Sequence, residues 1–450
     1  MAEGRVWCNC STDSLKSGNS CDAVLHTTSV TSVRTGATFS SRRRQSSPLF
    51  VARATGGYPM ERIGIYGGTF NPPHIGHIRA AEQAAKALQL DRLLLIPDRI
   101  APHKIMPAGS ASPRQRLEML RIAAADLPCA EVSDLELQRE GPSYTYLTVL
   151  ELHRQYPDAK LTLIMGTDMF LSFDRWRNPD LITAHAGLGV LYRGDKGEIA
   201  AIRAKKAEME EKGVEVTLIE NPVIAISSTQ LRRMIAFHCA DPFLNPGVGD
   251  YIRQQGLYDS VADLKNLPME QLESVVVGLL NPNRVAHVLG CRDTAVALAK
   301  KWGADVTDAA RAGILHDITK ALDGPLQLTL CAEFGTILDD FSRRYPKTLH
   351  ALTGALVADR IFGEKEAVVE AIRHHTTGKA DMTLLEKIIY VADYVEPNRT
   401  LPYVQQLRHL AFTDLDAAVK MGLEKTLEHL ATQGAEVSPA TKEALDFLNR

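Results

Sequence analysis

Two histidines in the segment GIYGGTFNPPHIGH, residues 64–77, combine side-chain types and spacing that suit phosphate chemistry. His74 and His77 follow an apolar segment and the glycine pair Gly67 and Gly68. A glycine-rich turn lets a phosphate approach the backbone, and the next helix start offers free N–H groups and partial positive charge. Histidines there can bind phosphate oxygens and stabilise developing charge, so both are candidate catalytic residues. Two histidines alone could also mark an ordinary helix start.

A second group of histidines and aspartates follows residue 280, where seven of the fourteen histidines fall. His316 and Asp317 form a pair at the end of the apolar segment ARAGIL. Burying such a pair without a partner is costly, whereas coordination of a metal ion offsets the cost. One buried histidine is usually a satisfied core residue, but six metal-type residues in apolar helical segments argue against that. The candidate ligands are His287, His316, Asp317, His350, His375 and Asp393.

Predicted strands and helices alternate from Met60 to about Tyr258, and these elements must position the first site. The predicted strands are RIGIYGG, RLLLIP, TLIMG, GLGVLYR and VEVTLIE, and IRAAEQAAKALQL has the spacing of a helix. This alternation predicts a parallel sheet covered by helices. The glycine-rich turn then lies at the end of the first strand.

The elements that carry the second site are helical by period, without convincing strands between them. They are RDTAVALAKKW, TDAARAGILHDITKAL, LHALTGALVADRIF and LLEKIIYVADYV. The change of pattern near residues 259–268 predicts a domain boundary, which agrees with a chain of 450 residues holding two or three domains. We predict an α/β domain at 60–260 followed by an all-α domain at 268–450.

The first 59 residues differ in composition from the rest. They are rich in Ser and Thr, include Arg42, Arg43 and Arg44, and show no helical or strand periodicity. We expect a disordered extension or a wrongly assigned start ahead of Met60, with a transit peptide as the alternative.

Charge and cysteine usage restrict the partners and the compartment. The net charge of −3 gives no sign of a nucleic-acid-binding surface, and no apolar run is long enough to span a membrane. Seven cysteines without a C-x-x-C pair indicate a reducing compartment. We therefore expect a cytoplasmic protein with neither nucleic acid nor membrane as partner.

The segment GGTFNPPHIGH resembles the H-x-G-H nucleotidylyltransferase superfamily, and its flanks narrow the resemblance to bacterial nicotinate-nucleotide adenylyltransferases. IPDRIAPHK, MGTDMFLSFDRW, PVIAISSTQLRR and YIRQQGLY extend the resemblance over nearly all of residues 60–258. The resemblance implies a Rossmann-like domain that transfers AMP from ATP to nicotinate mononucleotide. The products would be deamido-NAD, a precursor in NAD biosynthesis, and pyrophosphate.

The same segments imply the substrate-binding residues. Arg232 lies one turn after I-S-S-T, where a guanidinium can bind phosphate oxygens in a fork, although the hydroxyls alone would suit an N-cap. Asp168 ends an apolar strand, where open sheets bind ligands, or forms a turn. Trp176 is expected to stack on the nicotinate ring, with ordinary packing as the alternative. The implied set is Gly67, Gly68, Thr69, Phe70, Lys104, Thr145 with a looser match at Tyr146, Gly166, Asp168, Trp176, Ser227, Ser228, Thr229 and Arg232.

The reaction implied for this domain needs no side-chain nucleophile. The phosphate of the mononucleotide attacks the α-phosphorus of ATP in line, and the protein supplies positioning and charge stabilisation. Mg²⁺ is implied with ATP and is held largely by phosphates and water. Nicotinamide mononucleotide and pantetheine phosphate are alternative acceptors, but the Trp176 segment and the I-S-S-T-x-x-R motif favour nicotinate mononucleotide.

The run H…HD…H…H…D resembles the HD superfamily of metal-dependent phosphohydrolases. AIRHHTTG followed by KIIYVADYVEPNR is similar to bacterial HD hydrolases that cleave diadenosine tetraphosphate into two ADP, over roughly residues 280–430. The resemblance implies two transition-metal ions, iron in the relatives, with Asp317 as the catalytic residue that bridges them. The ligand types alone would also accept manganese. His374 directly precedes His375, and the H-T-T-G alignment selects His375.

Two interpretations of the helical domain remain. It is a hydrolase, or it is a non-catalytic nucleotide sensor or oligomerisation module. Six retained ligands favour the hydrolase. The expected ligands of the whole chain are ATP, nicotinate mononucleotide and diadenosine tetraphosphate, while assembly as a homo-oligomer and coupling between the sites are left open.

Overall fold

The computed structural model describes residues 60–102, 106–192, 196–221 and 226–450. The predicted extension at residues 1–59 and the predicted substrate-binding residue Lys104 lie outside these ranges. None of the helices in the described ranges is both long and apolar enough to cross a membrane.

Six parallel strands form one sheet in the order β3-β2-β1-β4-β5-β6. The central residues of the four inner strands are almost continuously buried because helices cover both faces of the sheet. The strands are β1 Arg62–Gly68, β2 Arg92–Pro97, β3 Ala130–Val132, β4 Lys160–Gly166, β5 Ala186–Tyr192 and β6 Val216–Glu220.

Nine α-helices accompany the strands in the described part of this half of the chain. They bury two apolar cores, one containing Ala81, Ala84 and Leu93, the other Ile63, Leu152 and Phe170. The helices are α1 Ile75–Leu88, α2 Pro113–Ala123, α3 Leu135–Gln138, α4 Thr145–Gln155, α5 Thr167–Leu171, α6 Pro179–Thr183, α7 Lys196–Glu211, α8 Ser228–Ala236 and α9 Pro246–Gln254.

The strand order reverses direction between β1 and β4, the two central strands. Tyr66 pairs with Ile164, so Gly68 at the end of β1 is level with Gly166 at the end of β4. In open α/β sheets the crevice outside such a reversal is the usual ligand site. The fold therefore sets the glycine-rich turn beside the segment that carries Asp168.

In the second half of the chain, the described residues form helices joined by loops and turns, without strands. Its helices are α10 Met269–Leu279, α11 Pro282–Trp302, α12 Val306–Leu315, α13 Gly324–Glu333, α14 Asp340–Arg344, α15 Leu349–Arg360, α16 Glu366–His374, α17 Leu384–Val395, α18 Val404–Thr413, α19 Leu415–Thr432 and α20 Pro439–Leu448. α11 and α12 approach closely at Gly313, where a Cβ would lie 2.8 Å from the Cα of Arg292. This close approach sets α11, which carries His287, beside the last turn of α12, which His316 directly follows.

The two halves share a core. Leu231 and Met234 of α8 belong to the same buried cluster as Leu272 and Val276 of α10. Arg233, also on α8 and nearly buried, donates a hydrogen bond from Nε to the carbonyl of Leu279. The predicted α/β half and the predicted all-α half are both present, and they pack as one unit, so the boundary near 259–268 stays a prediction.

Two elements differ from expectation. β3 is only three residues long, too short to leave a sequence signal. The predicted helix through TDAARAGILHDITKAL stops at Leu315, and residues 316–322 form successive tight turns. In these turns Ile318 N–H bonds Leu315 C=O and Lys320 N–H bonds Asp317 C=O.

Candidate active sites

A cavity of about 510 Å³ opens at the carboxyl end of β1. Its lining combines the glycine-rich turn with the beginnings of α1 and α8. The lining residues are Tyr66, Gly67, Gly68, Thr69, Phe70, Asn71, His77, Met106, Pro107, Ser228, Thr229 and Arg232. Eight of the predicted site residues therefore come together around one cavity.

His74 and His77 occupy different positions at this cavity. His77 lines it, while His74 is buried and precedes α1 as its N-cap residue. The ring centroids lie 3.7 Å apart, and His77 Nδ1 accepts a hydrogen bond from the His74 backbone N–H at 3.2 Å. Burial lowers the pKa of His74 to about 4, so its imidazole is neutral near pH 7. Its Nδ1 forms no hydrogen bond with any described residue.

Arg232 ties α8 to the loop that follows β1. Its Nη1 donates to the carbonyl of Asn71 at 2.7 Å, and its Nη2 donates to Thr229 Oγ1 at 3.2 Å. Ser228 Oγ donates to the carbonyl of Pro72 at 3.0 Å. The Asn71 side chain accepts from the Tyr258 hydroxyl at 2.6 Å, a contact across 187 positions. These bonds fix the cation and the start of α8 against the histidine loop.

Ser227 has a local role. It is the N-cap of α8, and its Oγ accepts from the backbone N–H of Gln230 at 3.2 Å. This is the ordinary capping function of a serine at a helix start. Ser227 is not one of the described residues that line the cavity.

Arg116 is a residue that the sequence analysis missed. It is 1 % exposed, and its Nη1 donates to the carbonyl of Thr69 at 2.6 Å and to Asp98 Oδ1 at 3.1 Å. Asp98 in turn accepts from Thr69 Oγ1 at 2.7 Å. The buried ion pair of Arg116 and Asp98 thus fixes the position of the glycine-rich segment through its bonds to Thr69. An arginine in an otherwise half-apolar helix was the only signal available in the sequence.

The remaining predicted residues lie outside the lining of this cavity. Asp168 is exposed in the first turn of α5, next to Gly166 at the sheet edge. Trp176 is half-buried and packs on Phe173 with ring centroids 5.3 Å apart. Thr145 begins α4. Their predicted substrate contacts stay predictions.

The arrangement at the first cavity suits a polyphosphate. The helices α1 and α8 both begin there. Helix N-termini attract anions through their free N–H groups and the helix dipole. Arg232 adds a permanent cation whose remaining N–H groups can bind phosphate oxygens. Gly67 leaves open space, because an added Cβ would meet no atom nearer than 3.9 Å.

The second site gathers all six predicted ligands in one place. Atoms that could serve as ligands form three overlapping groups, each with its atoms within 4.8 Å of one another. The groups are His287, His316 and Asp317; His316, His375 and Asp393; and Asp317, His350 and His375. α11, α15 and α17 supply His287, His350 and Asp393, whereas the other three ligands follow directly on α12 and α16.

The two carboxylate oxygens of Asp317 face different histidines. Oδ2 lies 3.7 Å from His287 Nε2 and 3.5 Å from His316 Nε2. Oδ1 lies 3.5 Å from His350 Nε2 and 3.7 Å from His375 Nε2. Asp317 is therefore placed between two half-sites, as a bridging ligand must be. Asp393 joins the first half-site, with Oδ1 3.1 Å from His287 Nε2.

Hydrogen bonds at the outer ring nitrogen orient three of the histidines. Nδ1 of His316 bonds the carbonyl of Gly313 at 2.8 Å, and Nδ1 of His375 bonds the carbonyl of Ile372 at 2.7 Å. Nδ1 of His287 faces Glu396 Oε1 at 3.1 Å. Such bonds fix the tautomer that presents a Nε2 lone pair to a metal ion. Glu396, three residues after Asp393, was missed by the sequence analysis.

Three cations contact the ligands from outside and were also missed. Arg284 Nε donates to Asp317 Oδ2 at 2.6 Å, and Arg399 Nε donates to the Asp393 carbonyl at 2.7 Å. Lys320 Nζ lies 2.9 Å from His350 Nε2. Each lies within a few residues of a candidate ligand in the sequence, a closeness that could have revealed them.

Charges inside the cluster shift the pKa values of its members. Burial acts against ionisation, but the neighbouring Cys291 and Asp317 raise the pKa of His316 well above its usual value. Burial likewise opposes ionisation of Asp317, yet His316 holds the pKa of that carboxyl well below its usual range.

His374 lies apart from the six ligands, although it is adjacent to His375. Its Nε2 faces Glu370 Oε2 at 3.2 Å, and it forms a separate group with Glu370 and Glu386. Arg373 and Lys379 neutralise those two carboxylates. The structure thus places His375, and not His374, beside Asp317.

The donor set of the cluster fits metal ions. Imidazole nitrogens and carboxylate oxygens are the ligands that iron, manganese and zinc take in proteins. Arg284 pairs with Asp317 Oδ2, but Asp317 Oδ1 is fully buried and accepts no hydrogen bond from any described residue, which is costly for a carboxylate oxygen unless a further cation binds it. The six residues could therefore hold two ions, with Asp317 shared between them.

Comparison with known proteins assigns each half of the chain. Residues 65–234 match the cytidylyltransferase-like family model, and residues 284–398 match the HD domain model. The "probable nicotinate-nucleotide adenylyltransferase" of Aeromonas salmonicida is 38 % identical over 210 residues, 44 % of this chain and 97 % of that protein. The protein of the same description from a Roseiflexus species is 41 % identical over 198 residues, 44 % of this chain and 97 % of its own length.

Two solved structures are similar to part of the chain. A Clostridium acetobutylicum crystal structure, described as a predicted HD superfamily hydrolase involved in NAD metabolism, is 36 % identical. It corresponds to 41 % of this chain and 97 % of that one, with a TM-score of 0.40. The Plasmodium falciparum nicotinic acid mononucleotide adenylyltransferase in complex with NaAD is 18 % identical over 44 % of this chain and 98 % of that one, with a TM-score of 0.37.

The family assignment depends on the first group of relatives, which this chain matches over nearly their whole length at more than 30 % identity. The chain belongs to the nicotinate-nucleotide adenylyltransferase family and carries an HD domain after its adenylyltransferase part.

Proposed function

We propose that the first cavity transfers AMP from ATP to nicotinate mononucleotide, with deamido-NAD and pyrophosphate as products. The observation that carries the proposal is the convergence of His77, Arg232 and two helix N-termini on one cavity beside the β1–β4 reversal. An oxygen of the mononucleotide phosphate forms the new bond to the α-phosphorus, and the bond to the β-phosphate bridging oxygen breaks. Pyrophosphate takes the electron pair of that bond.

The residues around the cavity have different proposed roles, which depend on their positions. His77 faces the cavity and donates a hydrogen bond to a phosphoryl oxygen on which charge builds up. Neutral His74 packs behind it and holds the ring in place. Arg232 and the start of α8 bind the departing β- and γ-phosphates. Mg²⁺ enters with ATP, Asp168 at the neighbouring strand end holds the ribose or adenine end of the substrate, and Trp176 stacks on the nicotinate ring.

The acceptor specificity is tested with purified full-length protein. ATP is offered with nicotinate mononucleotide, nicotinamide mononucleotide or pantetheine phosphate, and the products are separated by chromatography. We expect deamido-NAD to form at least tenfold faster than either alternative product. Equal or faster use of another acceptor would reject the proposed substrate.

We further propose that the HD domain hydrolyses diadenosine tetraphosphate symmetrically to two ADP. The six converging ligands and the bridging position of Asp317 support a two-ion phosphohydrolase site. Bound metal ions, iron or manganese, would polarise a phosphoryl oxygen and lower the pKa of a coordinated water. The water oxygen forms the new bond to phosphorus, the central bridging P–O bond breaks, and the second ADP leaves.

The chain's own residues prepare this reaction in two ways. The buried ligands exclude bulk water from the centre of the cluster, and their outer hydrogen bonds fix the Nε2 lone pairs inward. Arg284, Lys320 and Arg399 stand around the cluster as cations that can accept a polyphosphate. Such a cationic border favours a substrate of high negative charge.

The hydrolase proposal is tested with the same protein after chelation and reloading with iron(II) or manganese(II). We expect two ADP from each diadenosine tetraphosphate, loss of activity with chelator and recovery with metal. AMP plus ATP as products would reject symmetric cleavage. Absence of hydrolysis in the reloaded protein would favour the sensor or assembly interpretation.

The remaining predictions on organisation belong to the same proposal. Residues 60–260 form the adenylyltransferase domain and residues 268–450 the HD domain. The protein acts in the cytoplasm.

A further inference from the structure

Tyr258 is far from the segment between β1 and α1 in sequence, yet its side chain contacts that segment in the fold. The Tyr258 hydroxyl donates to Asn71 Oδ1 at 2.6 Å, and the residue is only 6 % exposed. Its ring belongs to the same apolar cluster as Leu231 and Leu264. Burial raises the pKa of the hydroxyl above its ordinary value, so the group stays protonated and can donate near pH 7.

Asn71 connects three segments around the first cavity. Its Oδ1 accepts from Tyr258, and its Nδ2 donates to Ser110 Oγ at 3.1 Å. Its carbonyl accepts from Arg232 Nη1 at 2.7 Å. Asn71 is only 3 % exposed, so its amide oxygen would be left buried and unpaired without the tyrosine hydroxyl. The hydroxyl of Tyr258 therefore fixes the residue that in turn binds the cation of the cavity.

The backbone at Tyr258 is unusual for a residue with a large side chain. Its φ and ψ are 58° and 37°, and Asp259 follows with a φ of 59°. This left-handed region is unfavourable for residues other than glycine, and such conformations persist where the surrounding structure enforces them, often at functional sites. Filling the core would need only the ring, so the bond from the hydroxyl to Asn71 indicates a further role.

We propose that Tyr258 is a positioning residue of the first site, which orients Arg232 toward the β- and γ-phosphates of ATP by fixing Asn71. The inference rests on the proposed adenylyl transfer. Arg232 is anchored through the Asn71 carbonyl, and its N–H groups outside that bond serve the polyphosphate. Trp176, proposed to stack on the nicotinate ring, packs in a separate core cluster. Loosening Asn71 should therefore weaken the recognition of ATP and spare that of nicotinate mononucleotide.

Kinetics of Tyr258→Phe in the full-length protein test this role. The variant keeps the ring and removes only the hydroxyl. We expect kcat/KM for ATP to fall about tenfold, the size of one lost hydrogen bond, while the KM for nicotinate mononucleotide changes less than about twofold. Tyr156→Phe is the matched control, because the Tyr156 hydroxyl accepts from Arg92 Nη1 at 3.0 Å outside the cavity lining. The control should leave both constants unchanged.

A double-mutant cycle tests whether the effect passes through Asn71. Asn71→Ala removes the side-chain amide and keeps the backbone carbonyl that Arg232 contacts. If Tyr258 acts through this amide, adding Tyr258→Phe to Asn71→Ala should lower kcat/KM for ATP by less than about twofold further. An equal loss in the two backgrounds would overturn the inference.

Pyrophosphate binding separates failure of this inference from failure of the proposed transfer. It is measured by titration calorimetry on the full-length protein, and the part that Arg232→Glu abolishes is assigned to the first cavity. We expect Tyr258→Phe to weaken that part at least about fivefold, whether or not deamido-NAD is formed. Pyrophosphate binding in Tyr258→Phe equal to that in the Tyr156→Phe control would overturn the inference.

Discussion

His74 and His77 stack with their ring centroids 3.7 Å apart and a tilt of 34°, and only His77 faces the cavity. The edge of Phe70 supports the same ring, with centroids 5.1 Å apart. We therefore expect the pattern H-x-x-H to combine a group that contacts the ligand with a group that positions it. Removal of His77 and removal of His74 should therefore have different effects on activity and stability.

Removal of His77 should affect turnover far more than folding. His77→Ala takes away a donor to the phosphoryl oxygen on which charge develops, and such a loss typically costs about 10²-fold in kcat. Turnover and thermal unfolding are measured on the same preparations, with His153→Ala as the control outside the cavity. Near-normal kcat in His77→Ala would remove this residue from the mechanism.

Removal of His74 should change the pH dependence of stability. Its pKa is about 4 in the folded protein and near 6.5 when exposed, so the unfolded state binds more protons between those values. The free energy of unfolding should therefore fall as the pH falls from 6.5 to 4, by up to about 3 kcal/mol from this group. Denaturant titrations should show a shallower fall in His74→Asn. Parallel curves for the two proteins would contradict a buried neutral imidazole.

The buried pair of Arg116 and Asp98 should contribute both stability and loop position. Arg116→Ala leaves Asp98 and the Thr69 carbonyl without their partner, and breaking such a pair costs about 3–5 kcal/mol. Arg114→Ala, an exposed change on the same helix, should cost less than about 0.5 kcal/mol. Denaturant unfolding measures both. Equal losses in the two variants would show that the buried pair stabilises nothing.

The two adjacent histidines His374 and His375 provide a matched test of the metal cluster. Only His375 lies beside Asp317, whereas His374 contacts Glu370. We expect two manganese ions per chain by metal analysis after dialysis, retained in His374→Ala and reduced to about one in His375→Ala. A loss of metal in His374→Ala with retention in His375→Ala would contradict the placement of these ligands.

Much of this architecture could be predicted from sequence because it depends on local pattern. The buried runs of β1 and β2 were predicted at their observed positions, since parallel strands are apolar throughout, whereas Gly67 and Gly68, predicted to form a turn, are the last two residues of β1. The six ligands were recognisable because a polar residue in an apolar helix stands out from its surroundings.

Contacts between distant segments were not predictable in this way. The bond from Tyr258 to Asn71 and the pair of Arg116 with Asp98 depend on how the chain returns to the sheet edge. The early end of α12 at Leu315 was missed because the helical period continues through residues that turn instead. The shared core of α8 and α10 also left no local signal, since each helix alone has only an ordinary apolar face.

The central claim is that one chain carries two separate active sites, and a pair of variants tests it most directly. Adenylyl transfer to nicotinate mononucleotide and hydrolysis of diadenosine tetraphosphate are measured on the same full-length, manganese-loaded samples of His77→Ala and Asp317→Asn. We predict that His77→Ala loses the transfer and keeps the hydrolysis, while Asp317→Asn loses the hydrolysis and keeps the transfer. Loss of both activities in either variant, with an unchanged unfolding midpoint, would contradict two independent sites.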